Sequence, residues 1–73
     1  MRFFIFMRTK VNGESVETAG VGTILQLLHE LKVESDRVAA VEVNRSIIRR
    51  ADFATFRIKD GDEIEIVNFV GGG

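Results

Sequence analysis

The sequence predicts an α+β domain in which a single helix packs across one face of a mixed sheet of four to five strands. Strand-forming side chains dominate, with 9 Val, 7 Ile and 6 Phe against 4 Leu and 5 Ala. Only one segment shows a helical spacing of apolar residues, and most other apolar residues fall into short runs bounded by turn signals. A helix laid on a sheet gives the two packed layers that a small domain needs.

Length and composition limit the function classes. A chain of 73 residues has room for one domain, 1–73, and 45% hydrophobic residues suffice for a modest core. The formal charge of −1 lacks the basic excess of typical nucleic-acid binders, and the absence of cysteine removes disulfides and thiolate metal sites. The longest apolar run, 3–7, is far too short to span a membrane. We therefore expect a cytoplasmic protein with no metal site and no nucleic-acid or membrane partner.

The first strand is predicted over residues 3–11. Its odd positions form one face, which we expect to point to the core: Phe3, Ile5, Met7, Thr9 and Val11. The Asn12-Gly13 pair then predicts a type I′ turn, because both residues accept a positive φ. The polar segment 14–18 is the expected antiparallel partner strand.

The segment 1–6 is apolar on both faces of the predicted strand from Phe3 onward. We interpret it as an ordered N-terminal extension that lengthens the strand, since the odd-position alternation runs unbroken into it. Such a segment needs cover from another chain or from the open face of the sheet. The alternative is that Met7 is the true start of the protein.

The helix is predicted over residues 23–32. Its apolar residues lie at positions i, i+3, i+4 and i+7 and form one stripe: Ile24, Leu27, Leu28 and Leu31. Thr23 with Gln26 three residues later matches the capping-box pattern, which predicts that the helix begins there.

A strand is predicted at 38–43, with Ala39 and the following odd positions on the core face. Arginine is less comfortable than glycine at positive φ, so Asn44-Arg45 predicts a turn looser than a two-residue type I′ turn. A short strand is expected after it, at 46–48.

Two further turns are predicted before the chain ends. Asp52 is expected to cap a short helical turn that places Phe53 and Phe56 against the core. The run Asp60-Gly61-Asp62 predicts a solvated turn, and the last strand is predicted over 63–70.

Three weak signals have ordinary explanations. Gly20 and Gly22 precede the helix, but the third glycine of a dinucleotide fingerprint and the Gly-Lys-Thr/Ser of a phosphate loop are missing, so a plain loop is favoured. His29 lies on the outer helix face and is interpreted as a solvated side chain. The arginines at 45, 49 and 50 are interpreted as soluble surface, with docking as the less favoured alternative.

The C-terminal sequence is the most informative segment. Gly71, Gly72 and Gly73 directly follow an apolar strand, and three glycines cannot sustain a strand. A frayed terminus is the common alternative, but frayed ends are usually polar and mixed. A tail without side chains suits a carboxylate that must enter the narrow active site of a partner. Activation must then come from outside, most simply as an acyl-adenylate made from ATP.

Several short motifs are distributed along the chain: Asn12-Gly13-Glu14, Val41-Glu42-Val43-Asn44, Arg50 with Phe53, Lys59-Asp60-Gly61-Asp62, and the ending 64–73. They resemble those of the ubiquitin-like sulfur carriers of the β-grasp fold, most closely the ThiS-like carriers of thiamine biosynthesis, over residues 7–73. The related molybdopterin-synthase small subunits typically carry Pro-Pro-Val before their last glycines, and this chain has no proline. Family members often have proline where Arg49 stands and tryptophan where Phe53 stands, and neither departure touches the tail.

The resemblance implies a protein substrate rather than an enzyme. A ThiF-like adenylating enzyme would use Mg-ATP to convert the carboxylate of Gly73 to an acyl-adenylate. Sulfur from a cysteine desulfurase would displace AMP, and the C-terminal thiocarboxylate would be delivered to thiazole synthase. Because the enzyme binds ATP and magnesium, no cofactor is expected on this chain. Gly71 and Gly72 would form the flexible tail that carries the reacting group.

The end of the last strand predicts a docking surface. If Ile64 and Ile66 face the helix, alternation places Val67 and Phe69 on the opposite face beside the tail, and Val70 follows them. Apolar residues on a solvent face are better explained by a partner than by stability. The alternative is a bulge near residue 67 that turns Val67 or Phe69 inward.

Two other functions remain open from the sequence. One is a sulfur carrier for a different product, such as molybdopterin or a thiolated tRNA base. The other is a ubiquitin-like interaction module whose tail takes part in no chemistry. The free glycine end at Gly73 speaks against the second of these.

Overall fold

The computed structural model describes residues 6–70 of the chain. Within them lie five strands and one α-helix: β1 (Phe6–Val11), β2 (Glu14–Ala19), α1 (Ile24–Glu30), β3 (Val38–Val43), β4 (Ser46–Ile48) and β5 (Glu63–Asn68). Two 3₁₀ helices, Ser35–Arg37 and Arg50–Asp52, precede β3 and follow β4. The predicted α+β class is confirmed. The expectations for the N-terminal extension at 1–5 and for the glycine tail at 71–73 lie outside the described residues.

The five strands form one mixed sheet in the order β2-β1-β5-β3-β4. The last strand in the sequence, β5, is therefore the central strand. It runs parallel to β1, with Lys10 opposite Glu63 and Val11 opposite Ile64, and antiparallel to β3. The two outer pairs, β1 with β2 and β3 with β4, are antiparallel hairpins.

The core lies between α1 and one face of the sheet. Ile24, Leu27 and Leu28 are almost completely buried, and Leu31 is half-buried, which confirms the predicted stripe. The capping box is also present: the Thr23 hydroxyl accepts from the Gln26 backbone N–H at 3.2 Å, and Gln26 Oε1 accepts from the Thr23 N–H at 3.1 Å. The sheet contributes mostly β-branched residues to this core: Val11, Val38, Val41, Val43 and Ile64.

The first hairpin forms as the sequence predicts. Asn12 and Gly13 both have positive φ, 51° and 83°, which is the geometry of a type I′ turn. On β1, Thr9 and Val11 are buried, whereas the Phe6 side chain is 63% exposed on the outer face. The facing predicted for the described part of this strand is confirmed.

The turn between β3 and β4 is tighter than the sequence predicts. Asn44 and Arg45 have φ of 51° and 72°, and Val43 pairs directly with Ser46 across a two-residue turn. The expectation of a looser turn was wrong. The left-handed conformation costs a non-glycine residue about 1–2 kcal/mol. Tertiary hydrogen bonds of Asn44 hold the turn, since its N–H donates to the Glu63 carbonyl at 2.7 Å and its Oδ1 accepts from the Glu63 N–H at 2.9 Å.

The sequence predicts a solvated turn at 60–62, and this prediction is wrong for Asp62. Its exposed fraction is only 9%. Its Oδ2 accepts from the Lys59 N–H at 2.7 Å and its Oδ1 accepts from the Asn44 side-chain amide at 3.0 Å. Asp62 therefore closes its own turn and links it to the turn between β3 and β4.

The start of β3 faces differently from the prediction. Val38 is completely buried and Ala39 is exposed, because the register between β3 and β5 shifts between Val38 and Ala40. Val38 lies opposite Asn68, and Ala40 lies opposite Val67, so β3 has one extra residue there. This bulge reverses the alternation that strict pairing predicts.

Asp52 does not cap the helical turn that the sequence assigned to it. Arg49 occupies the N-cap position of the second 3₁₀ helix without a side-chain cap, and Asp52 is the last residue of that helix. The Asp52 backbone carbonyl accepts from the Phe56 N–H at 2.8 Å and closes the following turn. The aromatic packing is nevertheless as predicted, with Phe53 buried and Phe56 half-buried.

Replacing Asp62 with alanine is expected to lower the free energy of unfolding by about 2 kcal/mol, because two donors lose a charged acceptor. The measurement is urea denaturation followed by circular dichroism. Asp36→Ala is the matched control, since Asp36 is exposed and accepts no side-chain hydrogen bond from the described residues. Equal, small losses in both variants would show that the Asp62 contacts contribute little.

Candidate functional site

The central strand β5 is held from both sides along its length. On the β1 side, backbone pairing at Lys10 and Val11 is followed by the Asn12 N–H, which donates to the Ile64 carbonyl at 2.9 Å. The Asn12 side chain continues the ladder. Its Oδ1 accepts from the Ile66 N–H at 2.8 Å, and its Nδ2 donates to the Ile66 carbonyl at 3.3 Å. The amide thus replaces one further residue of β1.

The C-terminal end of β5 is fixed by the segment that leads into β3. Val38 pairs with Asn68, and the next residue, Phe69, donates its backbone N–H to the Arg37 carbonyl at 2.9 Å. The strand itself ends at Asn68, two residues earlier than the predicted end at Val70. Val70 is 97% exposed. The domain therefore holds the chain as far as Phe69.

The residues predicted to dock a partner are exposed. Val67 is 45% exposed and Phe69 65% exposed, while Ile64 on the opposite face is buried. The bulge considered as the alternative does occur nearby, but its extra residue belongs to β3, so β5 keeps its alternation and neither side chain turns inward. We call the three exposed apolar residues Val67, Phe69 and Val70 the tail-root patch.

The face of the sheet opposite α1 carries both apolar and acidic side chains. Glu42 lies opposite Glu65 on one side and opposite Ile47 on the other, and Ile47 is 71% exposed. The next row pairs Ala40 with Val67. Ile47 on the edge strand β4 and Val67 in the tail-root patch are thus exposed apolar side chains on one face, with Glu42 and Glu65 between them. Such a grouping is typical of a surface that binds a partner.

The two glycines before α1 serve different purposes: Gly20 has a positive φ of 76°, and Gly22 is closely packed. The Gly22 carbonyl accepts from the Ile58 N–H at 2.9 Å, and a Cβ at this position would approach the Arg57 guanidinium to 3.0 Å. The segment is thus a loop, as the sequence analysis favours, and a side chain at residue 22 would crowd it. His29 is exposed, as expected for a surface residue.

The described residues lack the side-chain grouping of a metal site. Across 6–70, no group of three His, Cys, Asp or Glu side chains converges as metal ligands would. No helix in this part of the chain has the length and apolar character that crossing a membrane requires.

Sequence reasoning missed one contact near the tail. The Arg50 guanidinium donates to the backbone carbonyls of Ser35 and Val38, although the arginine cluster was interpreted as soluble surface. Its partners are main-chain atoms, which no pattern of side chains reveals. The family motif that includes Arg50 was the only signal that singled out this position.

The chain matches the model of the ThiS family over residues 4–73. The match begins ahead of Met7, so the family region includes residues 4–6, which the sequence analysis had placed outside the resemblance. The sulfur carrier protein ThiS of Bacillus subtilis (strain 168) is 38% identical over 65 residues, which cover 88% of this chain and 97% of that protein. The crystal structure of a thiamine biosynthesis protein (ThiS) from Geobacter metallireducens superposes with a TM-score of 0.76 at 36% identity, covering 92% of this chain and 100% of that one.

A thiazole synthase of Paramagnetospirillum magneticum is 42% identical over 67 residues, which cover 92% of this chain. Another, from Magnetococcus marinus, is 37% identical over 68 residues. The chain spans 20% of the length of each of these two relatives. The family match, the ThiS relative of similar length and the shared β-grasp structure show that the chain belongs to the ThiS family.

Proposed function

We propose that this chain is a sulfur carrier of thiamine biosynthesis, whose Gly73 carboxylate is adenylated and converted to a thiocarboxylate. The main support is the end of β5. The domain holds the chain up to the Phe69 N–H, and Val70 and the three glycines 71–73 come next in the sequence. A relative of similar length, 38% identical, is named sulfur carrier protein ThiS.

The chemistry requires an activated acyl group, because a carboxylate is a poor acyl donor. In the partner's site, a carboxylate oxygen of Gly73 attacks the α-phosphate of Mg-ATP, and pyrophosphate leaves. The terminal sulfur of a persulfide then attacks the acyl carbon, and AMP leaves. A thiol then attacks the donor-side sulfur of the resulting acyl disulfide and forms a new disulfide with it, and the thiocarboxylate is released on the carrier. The carrier supplies the acyl group, the adenylating enzyme binds ATP and magnesium, and the persulfide supplies the sulfur.

The proposed partners differ in their support. Thiazole synthase is the proposed sulfur acceptor, because two relatives with that name contain a region similar to this chain. A ThiF-like adenylating enzyme and a cysteine desulfurase are implied by the resemblance to the carrier family and by the need for adenylation and a persulfide. The chain thus acts as a substrate that passes between three enzymes.

We assign the tail-root patch to docking on the adenylating enzyme. Its apolar side chains are exposed in the free domain and adjoin the residues that carry the carboxylate. Binding through this patch places Phe69 and Val70, the root of the tail, at the enzyme surface. Glycines without Cβ atoms then suit a narrow channel.

Incubation with a ThiF-like enzyme, Mg-ATP, a cysteine desulfurase and cysteine should replace one terminal oxygen of the carrier with sulfur. Intact-mass analysis detects the change, and thiazole formation after addition of thiazole synthase identifies the acceptor. An unmodified mass, with an enzyme shown to be active on its own carrier, would contradict the proposed function. Loading without thiazole formation would point to a different acceptor.

Deletion of Gly73 should abolish sulfur loading and leave the fold intact. The change in the free energy of unfolding should stay below about 0.5 kcal/mol, as for surface substitutions, because glycine has no side chain to pack. Thermal melting and intact-mass analysis of the same variant provide the two measurements. A large drop in the melting temperature would show that the tail contributes to the fold.

Phe69→Ala should weaken binding to the adenylating enzyme by about tenfold, in the range of an interface anchor. The effect on stability should be small because the side chain is 65% exposed. Phe6→Ala is the matched control: Phe6 is 63% exposed but lies at the start of β1, at the opposite end of the parallel pair from the tail. Calorimetric titration and melting curves separate the two effects. Unchanged binding with a large stability loss would place Phe69 in the core.

A further inference from the structure

Arg50 connects two segments that are distant in the sequence. It is the first residue of the second 3₁₀ helix, and its Nη1 and Nη2 donate to the carbonyls of Ser35 and Val38. These carbonyls belong to the first residue of the first 3₁₀ helix and to the residue that follows that helix. One guanidinium therefore holds both ends of this short helix.

Arg37, which lies between Ser35 and Val38 in the sequence, makes the last described contact with the chain that follows β5. Arg37 ends the first 3₁₀ helix, and its carbonyl accepts the Phe69 N–H at 2.9 Å. Beyond Phe69 the described chain continues only to Val70, which is 97% exposed. The position of the Arg37 carbonyl thus determines where the tail leaves the domain.

Other contacts of the first 3₁₀ helix are weaker. The ion pair of Arg37 with Glu34 at 3.1 Å joins two highly exposed side chains, and such pairs contribute little. The bulge in β3 interrupts regular pairing with β5 directly after Val38. An arginine suits this place because its planar group presents several donors in a fixed arrangement, whereas a lysine is a single point charge on a flexible stem.

We propose that Arg50 is a positioning residue for sulfur loading: it fixes the Arg37 carbonyl and, through the Phe69 N–H, the root of the tail. This rests on the proposed carrier function. Four residues, Val70 to Gly73, span at most about 14 Å when fully extended. When the tail-root patch is docked, a displaced root moves the Gly73 carboxylate relative to ATP. Misplacement of the reacting group by about 1 Å costs up to about a hundredfold in rate.

The test compares Arg50→Lys with Arg49→Lys. Arg49 is the matched control, because it is an adjacent exposed arginine whose contact is a surface ion pair with Asp52 at 3.6 Å. Amide hydrogen exchange of the free protein, measured by NMR, reports on the Phe69 N–H directly and needs no enzyme. Steady-state ATP–pyrophosphate exchange with the adenylating enzyme gives kcat and KM for the carrier.

In Arg50→Lys, exchange at Phe69 should accelerate by about tenfold or more, whereas the central amides at Val41 and Ile64 keep their protection. The kcat should fall by about tenfold while KM changes by less than about twofold, because the patch still docks and only the carboxylate is misplaced. Arg49→Lys should change none of these quantities. If Arg50 had a purely structural role, amide exchange at Val41 and Ile64 would accelerate as well. The kcat and the KM would then change together.

Three results would overturn the proposal. Unchanged exchange at Phe69 in Arg50→Lys would show that Arg50 does not hold the root. Faster exchange with an unchanged kcat would show that the root position does not limit loading. Loss of protection throughout the sheet would make Arg50 a general structural residue. Failure of the carrier function itself is distinguishable, because the wild-type protein would then show no pyrophosphate exchange while the Phe69 amide would still respond to Arg50.

Discussion

The central position of β5 is the constraint on which the rest of the structure depends. This strand is the last of the described strands in sequence order, yet it lies between β1 and β3 and joins the two hairpins into one sheet. Its partners on the β1 side are few, with two paired residues, Lys10 and Val11. The Asn12 amide adds bonds on that side, at Ile66, and the Asn44 amide accepts from the Glu63 N–H on the β3 side. Both asparagines have positive φ, so the residues that form the hairpin turns also hold the central strand.

Features that depend on neighbours in the sequence were predictable, and features that depend on distant residues were not. The hairpin turn at Asn12-Gly13, the capping box at Thr23 and the apolar stripe of α1 depend on neighbours in the sequence, and all three formed as expected. The tightness of the Asn44-Arg45 turn depends on Glu63 and Asp62, which lie 18 or more residues away. Propensity alone predicts strain at Arg45, and tertiary hydrogen bonds decide the outcome.

The candidate site shows the same division. The exposure of Val67 and Phe69 followed from alternation along a single strand, and alternation was correct there. On β3 the same rule failed at Ala39, because a bulge adds a residue that a single sequence does not reveal. Arg50 was missed because its partners are the carbonyls of Ser35 and Val38, and backbone acceptors leave no signature in the side-chain pattern.

The contacts beyond the bulge have a thermodynamic consequence for docking. Fixing the backbone of one residue costs about 1–2 kcal/mol, and a partner that binds the tail must supply this for each residue that the domain does not already hold. The Val38–Asn68 pair and the bond from the Phe69 N–H to the Arg37 carbonyl extend the held segment past the bulge. Had pairing ended at Val67, ahead of the bulge, two more residues would have to be ordered on docking, at an additional cost of roughly 2–4 kcal/mol. A root that is fixed in advance therefore leaves more of the interface energy for placing the carboxylate, as the proposed carrier function requires.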